Sequence, residues 1–243
     1  SNIATGLAHL LRGSKSFRSA TSRLFGRLST RTRAHSWWNR CKAKPASSLP
    51  EGFLKQAAEL CRENRVLLVA DEIQSGLGRT GKLFAYMHEG VRPDMLIVGK
   101  ALAGGFYPVS AVLSSNEILG VYKPGDHGST FGGNPLGCAL ARTALRVLVD
   151  EHLVERSAEM GAYFLKLLRT MRSPNVKEVR GIGLWIGIEL HEAARPYCEA
   201  LKEQGVLCKE THDRVIRIAP PLIINRDEID WAFSRIRKVI EKI

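Results

Sequence analysis

With 243 residues, an apolar fraction of 44% and no apolar run of membrane-spanning length, the chain can hold one large or two modest domains and gives no sign of membrane insertion. Its five cysteines, Cys41, Cys61, Cys138, Cys198 and Cys208, have neither metal-ligand spacing nor the density of a disulfide scaffold, so they read as free thiols of a cytoplasmic protein without a metal site. The net charge of +12 belongs to one end: residues 1–50 carry ten Lys or Arg and no Asp or Glu, and the rest carry 26 bases against 24 acids.

That basic start admits several readings. Arg12, Lys15, Arg18, Arg23, Arg27, Arg31 and Arg33 with Trp37 and Trp38 would suit a nucleic-acid tail. An Arg-rich, Ser-rich, acid-free arm also suits an organelle transit peptide, and an unstructured linker is the plain alternative.

Residues 51–64 predict an amphipathic helix with Phe53, Leu54, Ala57, Leu60 and Cys61 on its buried side. Residues 66–70 and 95–98 are short apolar runs without polar alternation, the pattern of strands covered on both faces in a parallel sheet. Residues 107–114 predict a third strand and residues 136–153 a long helix. Beyond residue 154 the pattern becomes helix 158–171, two strands within 176–190 around Gly181 and Gly183, helix 195–204, strands 206–209 and 215–218, and helix 226–243.

The first apolar run ends on Asp71 and the second on Gly99-Lys100. Ligands of open α/β sheets sit beyond the carboxyl ends of the strands, so an acid and an amine are left where a ligand belongs. A lysine at the rim of an apolar layer can form a Schiff base with an aldehyde. A carboxylate across a planar cofactor can hold a pyridinium nitrogen protonated. Taken singly, Asp71 as a turn cap and Lys100 as a solvated lysine are the simpler readings. Residues 127–135 add two hydroxyls, Ser129 and Thr130, and a glycine pair before Pro135, which is placed as a first-turn proline; such a combination suits a phosphate.

With these motifs in place, residues 49–243 resemble the carboxyl-terminal portion of the class III, pyridoxal-phosphate-dependent aminotransferases. The resemblance rests on residues 70–76 (Ala-Asp-Glu-Ile-Gln-Ser-Gly), 99–113, 127–137 and 217–222 (Arg-Ile-Ala-Pro-Pro-Leu). The wording at 107–112 and 219–222 is that of the ornithine-specific branch rather than the acetylornithine-specific one.

The resemblance implies an α/β protein: an incomplete fold-type-I large domain over residues 49–150 and an α+β small domain over 151–243. It implies pyridoxal 5'-phosphate as cofactor, amino-acid and 2-oxo-acid substrates, and transfer of the δ-amino group of ornithine to 2-oxoglutarate. It assigns Lys100 and Asp71 to catalysis and, with Gln74, Ser129 and Thr130, to cofactor binding, and it assigns Arg217 to a substrate carboxylate. Ser129 and Thr130 would reach the neighbouring subunit's cofactor, so a homodimer is expected. His127, His152 and His212 have no metal-like partners and read as structural or surface residues.

The family resemblance also recasts the basic arm. Reading the third base of each codon with the first two of the next, Trp37-Trp38 must encode valine and Trp38-Asn39 glutamate. The neighbours then permit Phe-Leu-Val-Glu-Pro-Met-Gln-Gly-Glu-Ala-Gly-Ile-Ile, which resembles the family segment preceding Pro-Glu-Gly-Phe, here residues 50–53. Residues 1–48 are therefore expected to be an out-of-frame, disordered segment, with no nucleic-acid partner. Three consequences are expected: the strand edge beside residues 66–70 is unpaired, the glutamate that partners Arg217 in the family is missing, and the chain alone is inactive.

Overall fold

The computed structural model describes residues 35–38 and 52–242. Among these, a first sheet has the order β1-β2-β3-β4: β1 (His35–Trp38), β2 (Leu67–Asp71), β3 (Met95–Val98) and β4 (Ala111–Ser114). β1, β2 and β3 run parallel, and β4 runs antiparallel to β3. β2 is buried along its middle, as an apolar run without alternation requires.

The edge of β2 is paired, contrary to expectation: His35–Trp38 aligns with residues 67–70. Ladder hydrogen bonds use only main-chain groups, and aromatic residues are at home in strands, so His35–Trp38 can take the place beside β2 whatever the origin of its side chains. Expectations for the rest of residues 1–51 lie outside the described residues.

α1 (Phe53–Glu63) buries Phe53, Leu54, Ala57 and Cys61 as its period demands. Its N-cap, Gly52, has no side chain to offer, and Glu89 takes over: Oε2 accepts from the amides of Leu54 at 2.8 Å and Lys55 at 3.1 Å. The third strand is shorter than expected. Pro108 has no N–H to give a ladder, and its partner β3 ends at Val98, so pairing starts only at Ala111. After the short α2 (Asn116–Leu119) comes α3 (Pro135–Asp150), opened by Asn134, whose Oδ1 accepts from the Gly137 amide at 2.8 Å, and by Pro135 in its first turn.

α4 (Leu153–Leu168) begins earlier than the periodicity suggested, because His152 adopts a left-handed φ of 53° and turns the chain within two residues. The second sheet has the order β5-β6-β8-β7: β5 (Val176–Ile182), β6 (Trp185–Leu190), β7 (Lys209–Thr211) and β8 (Val215–Ile218), all antiparallel. α5 (Arg195–Glu203) and α6 (Arg226–Ile240), with α4, cover its apolar face around Phe164, Leu168, Ile186, Ile216, Ile229 and Ile236. β7 falls later than expected because its register is set by β8, with Lys209 opposite Arg217 and Thr211 opposite Val215. α6 starts with a reciprocal cap: Asn225 Oδ1 accepts from the Glu228 amide, and Glu228 Oε2 accepts from the Asn225 amide, both at 2.9 Å.

The two sheets meet through main chain. A Cβ on Gly183 (φ +56°) would stand 2.4 Å from the Thr80 carbonyl carbon, and one on Gly161 2.2 Å from Gly183. Only glycine permits the loop after β2 to lie directly on the β5–β6 turn.

Candidate active site

β2 and β3 are parallel neighbours with Asp71 opposite Ile97, so both strands finish at the same rim, Asp71 on one and Lys100 three residues past the register partner on the other. The turn after β2 is held from below by Glu72. This buried carboxylate accepts from Ser75 Oγ at 2.5 Å and from the Tyr86 amide at 3.0 Å, while its own amide donates to the Ile97 carbonyl at 2.9 Å. With Glu72 turned inward, Asp71 and Ile73 face the rim. Asp71 Oδ1 accepts from the Ile73 amide at 3.1 Å, and Oδ2 has no hydrogen-bond partner among the described residues.

The two ends adjoin. A Cβ built on Gly99 would lie 3.6 Å from Ile73 Cγ1 and 3.4 Å from Ser110 Cβ, so the Asp71–Gln74 turn packs against the residue that precedes Lys100. Lys100 itself is exposed, opens a 3-10 turn (Lys100–Ala103), and has a left-handed φ of 46°. A non-glycine residue holds that conformation at a cost of ~1–3 kcal/mol, a pattern found where function dictates the backbone. No ion pair engages its amine among the described residues. An amine without an ion pair among the described residues and a half-satisfied carboxylate on adjoining strand ends fit a planar, aldehyde-bearing cofactor, which the amine could hold through its carbonyl and the carboxylate through a ring nitrogen.

Gln74 is half-buried in the same turn. Ser129 and Thr130 stand apart, on a loop whose residues 121–133 are all exposed. Ser129 Oγ accepts from the Gly132 amide at 3.0 Å, and no hydrogen bond joins either hydroxyl to Asp71, Gln74 or Lys100. Arg217 lies on β8 between buried Ile216 and Ile218, so its side chain leaves the face opposite the core. Across β6 it meets Gly187, and across β7 it meets Lys209, a second cation. No carboxylate pairs with Arg217 among the described residues, which removes the simplest structural role for a strand arginine.

Sequence reasoning missed Glu72 and Arg79. Arg79 Nη1 donates to the carbonyls of Leu184 at 3.2 Å and Pro220 at 2.5 Å, bridging the two sheets. The acidic doublet at 71–72 at the end of a buried strand could have flagged Glu72, since alternation must turn one of the two inward. Nothing local could have flagged Arg79, whose partners lie 105 and 141 residues away. Among the described residues there is no group of three side chains able to hold a metal ion and no helix long and apolar enough to cross a membrane.

A parallel α/β rim carrying a lysine and an aspartate, joined to an antiparallel module with an arginine, the lysine and the arginine without ion-pair partners among the described residues, fits a protein of the aminotransferase class. The chain belongs to the class III aminotransferase family, whose pattern matches residues 47–240. It is 62% identical over 190 residues to the ornithine aminotransferase of Geobacillus sp. (strain WCH70), covering 78% of this chain and 48% of that protein. Its fold is similar to that of the ornithine aminotransferase from Toxoplasma gondii, solved with partial occupancy of PLP at the active site: TM-score 0.80 and 43% identity over 84% of this chain and 50% of that one. It is also similar to the acetylornithine aminotransferase from Elizabethkingia anophelis, with TM-score 0.81 and 46% identity over 85% and 56%. The chain thus spans about half the length of the curated relatives it matches.

Proposed function

We propose that this chain carries the carboxyl-terminal half of an ornithine aminotransferase, an enzyme moving the δ-amino group of ornithine to 2-oxoglutarate to give glutamate semialdehyde and glutamate, and that this half alone does not turn over. The observation that carries the reading is the placement of Asp71 and Lys100 at the carboxyl ends of neighbouring parallel strands, with Ile73 packed against Gly99 between them. The 62% identity to a named ornithine aminotransferase supports the substrate.

Pyridoxal 5'-phosphate, when bound, supplies an electron sink for the carbanion formed on losing a proton next to nitrogen. The residues divide the remaining work. Lys100 Nζ would hold the cofactor through its aldehyde carbon, with loss of water, and, once displaced by the substrate amine, would be the base that takes up and returns the proton moved between carbon centres. The Asp71 carboxylate would keep a proton on the ring nitrogen, and Gln74 would offer its amide to the phenolic oxygen. Arg217, with no carboxylate partner among the described residues, would offer parallel N–H donors to a substrate carboxylate. Ser129 and Thr130, on their exposed loop, would serve a phosphate in a second copy of the chain, which makes the working unit a homodimer.

The two separate sheets support a division into 49–150 and 151–243. Free thiols at Cys61, Cys138, Cys198 and Cys208 support a cytoplasmic location.

Borohydride reduction of the chain in the presence of pyridoxal phosphate, followed by peptide mass analysis, tests the assignment. The cofactor mass is expected on the Lys100 peptide, absent in Lys100→Ala, and no ornithine-dependent turnover is expected from the chain alone. Label spread evenly over surface lysines would remove Lys100 from the site.

A further inference from the structure

Arg79 is placed between the two halves of the proposed site. It lies in the loop that follows Asp71 and Gln74, and one terminal nitrogen, Nη1, gives its two hydrogens to the carbonyls of Leu184 and Pro220. These carbonyls flank two strands at one end of the second sheet, Leu184 just before β6 and Pro220 two residues after β8. β6 starts where β8 finishes, with Ile186 opposite Ile218, so Leu184 precedes and Pro220 follows the same rung of the ladder. Arg217 is the next residue inward from that rung.

The main chain of Arg79 is held as well. Its carbonyl accepts from the Leu184 amide at 3.1 Å and from Ser157 Oγ at 3.2 Å, and Ser157 Oγ also accepts from the Leu184 amide at 3.3 Å. The loop's contact with this end is backbone on backbone at Gly183, and at Gly78 a Cβ would come within 3.3 Å of Leu222 Cδ1. The residue thus touches α4, the β5–β6 turn and the segment after β8 together.

We infer that Arg79 is a positioning residue: it fixes the end of β8, and with it Arg217, at a set distance from the Asp71–Lys100 rim, and so matches the site to the length of a substrate carrying its carboxylate at the far end from the reacting carbon. The inference rests on the reading of Arg217 as the carboxylate grip. A guanidinium suits the task because its planar fork aims two N–H groups at fixed angles, which a lysine ammonium does not. Burial pulls the Arg79 pKa down to about 10, so the group stays charged at neutral pH although its hydrogen-bond partners are carbonyls.

Hydrogen exchange and calorimetry on the whole chain test this together, using Arg79→Met, Arg79→Lys and the unsubstituted protein. In Arg79→Met, amides within residues 219–224 are expected to exchange about tenfold faster or more, as loss of hydrogen bonds to a charged donor implies, while β6 exchanges as before. The affinity for 2-oxoglutarate is expected to fall about tenfold with borohydride labelling of Lys100 unchanged, and Arg79→Lys should recover part of the loss. Unaltered exchange at 219–224, or an equal rise across β6, would overturn the positioning role, the second outcome making Arg79 a general stabiliser. If the unsubstituted chain binds no 2-oxoglutarate, the carboxylate reading of Arg217 fails by itself. The exchange pattern then decides alone whether Arg79 fixes the end of β8.

Discussion

Arg217 and Lys209 stand directly opposite each other on β8 and β7, two cations on one face of the sheet. Like charges in that relation oppose pairing, by an amount comparable to the ~0.2–1 kcal/mol that a good cross-strand pair contributes. An anion placed between or above them would relieve that repulsion, and Gly187, on the other side of Arg217, adds no side chain to that face. Lys209→Thr is therefore expected to raise stability by about 0.5 kcal/mol in urea unfolding, because it removes the repulsion and places a good strand former at an edge. A loss of stability on that substitution would mean that the Lys209 stem is packing, and the face is not a vacant anion site. The places of Asp71 and Lys100 could be read from the sequence because each follows an apolar strand run at its carboxyl end, whereas Arg217 was singled out only through the family resemblance. Arg79 and Lys209 were not, since the meaning of each depends on a partner brought in by tertiary register.

The β5–β6 hairpin carries its own electrostatic device. Glu189 accepts from Lys177 Nζ at 2.7 Å and Arg180 Nη1 at 2.5 Å, and Arg180 also binds Glu178 at 2.8 Å. The hydrogen bond from Lys177, with that from Arg180 and the charge of both, holds the Glu189 carboxyl below its ordinary value of 4.5 against the opposing effect of burial. A carboxylate whose folded pKa is depressed contributes stability that is fully present above the unfolded value and is lost as pH falls through the folded one. The stability gap between the unsubstituted chain and Glu189→Gln is thus expected to be full at neutral pH, to narrow once pH drops below about 4.5, and to close in stronger acid. Urea midpoints of both proteins at neutral, mildly acid and strongly acid pH measure it, and a gap independent of pH would show that Glu189 acts through shape alone. At this scale most elements were readable, because α1, α3, α5 and α6 have helical periodicity and β2, β3 and β8 are short apolar runs. The misplacements have local causes: a left-handed His152 shortens a corner, Pro108 delays β4, and β8 draws the register of β7 toward Thr211.

At the scale of the molecule, one stretch of apolar surface stands uncovered. Phe106 is 85% exposed and Ile223 61%, and both help to line an apolar groove of about 560 Å³ together with Leu145, Leu148, Leu153 and Leu222. Contiguous apolar patches of this kind are rare on monomers and mark surfaces meant to be covered. The curated relatives are about twice as long as their match to this chain, so they carry residues that can cover it. The expected result is that the remaining amino-terminal half of the Geobacillus relative, made as a separate polypeptide, co-elutes with this chain and lowers its fluorescence with an apolar-surface dye such as anilinonaphthalene sulfonate. Phe106→Ser with Leu145→Ser should weaken the association by two to three orders of magnitude, roughly the loss of two well-buried apolar anchors. Persistent dye binding and separate elution at micromolar concentrations would mean that the groove is not where the rest of the fold docks. Turnover of ornithine by the mixture, and by neither piece alone, would show that the Asp71–Lys100 rim needs only that cover and those residues to become a working site.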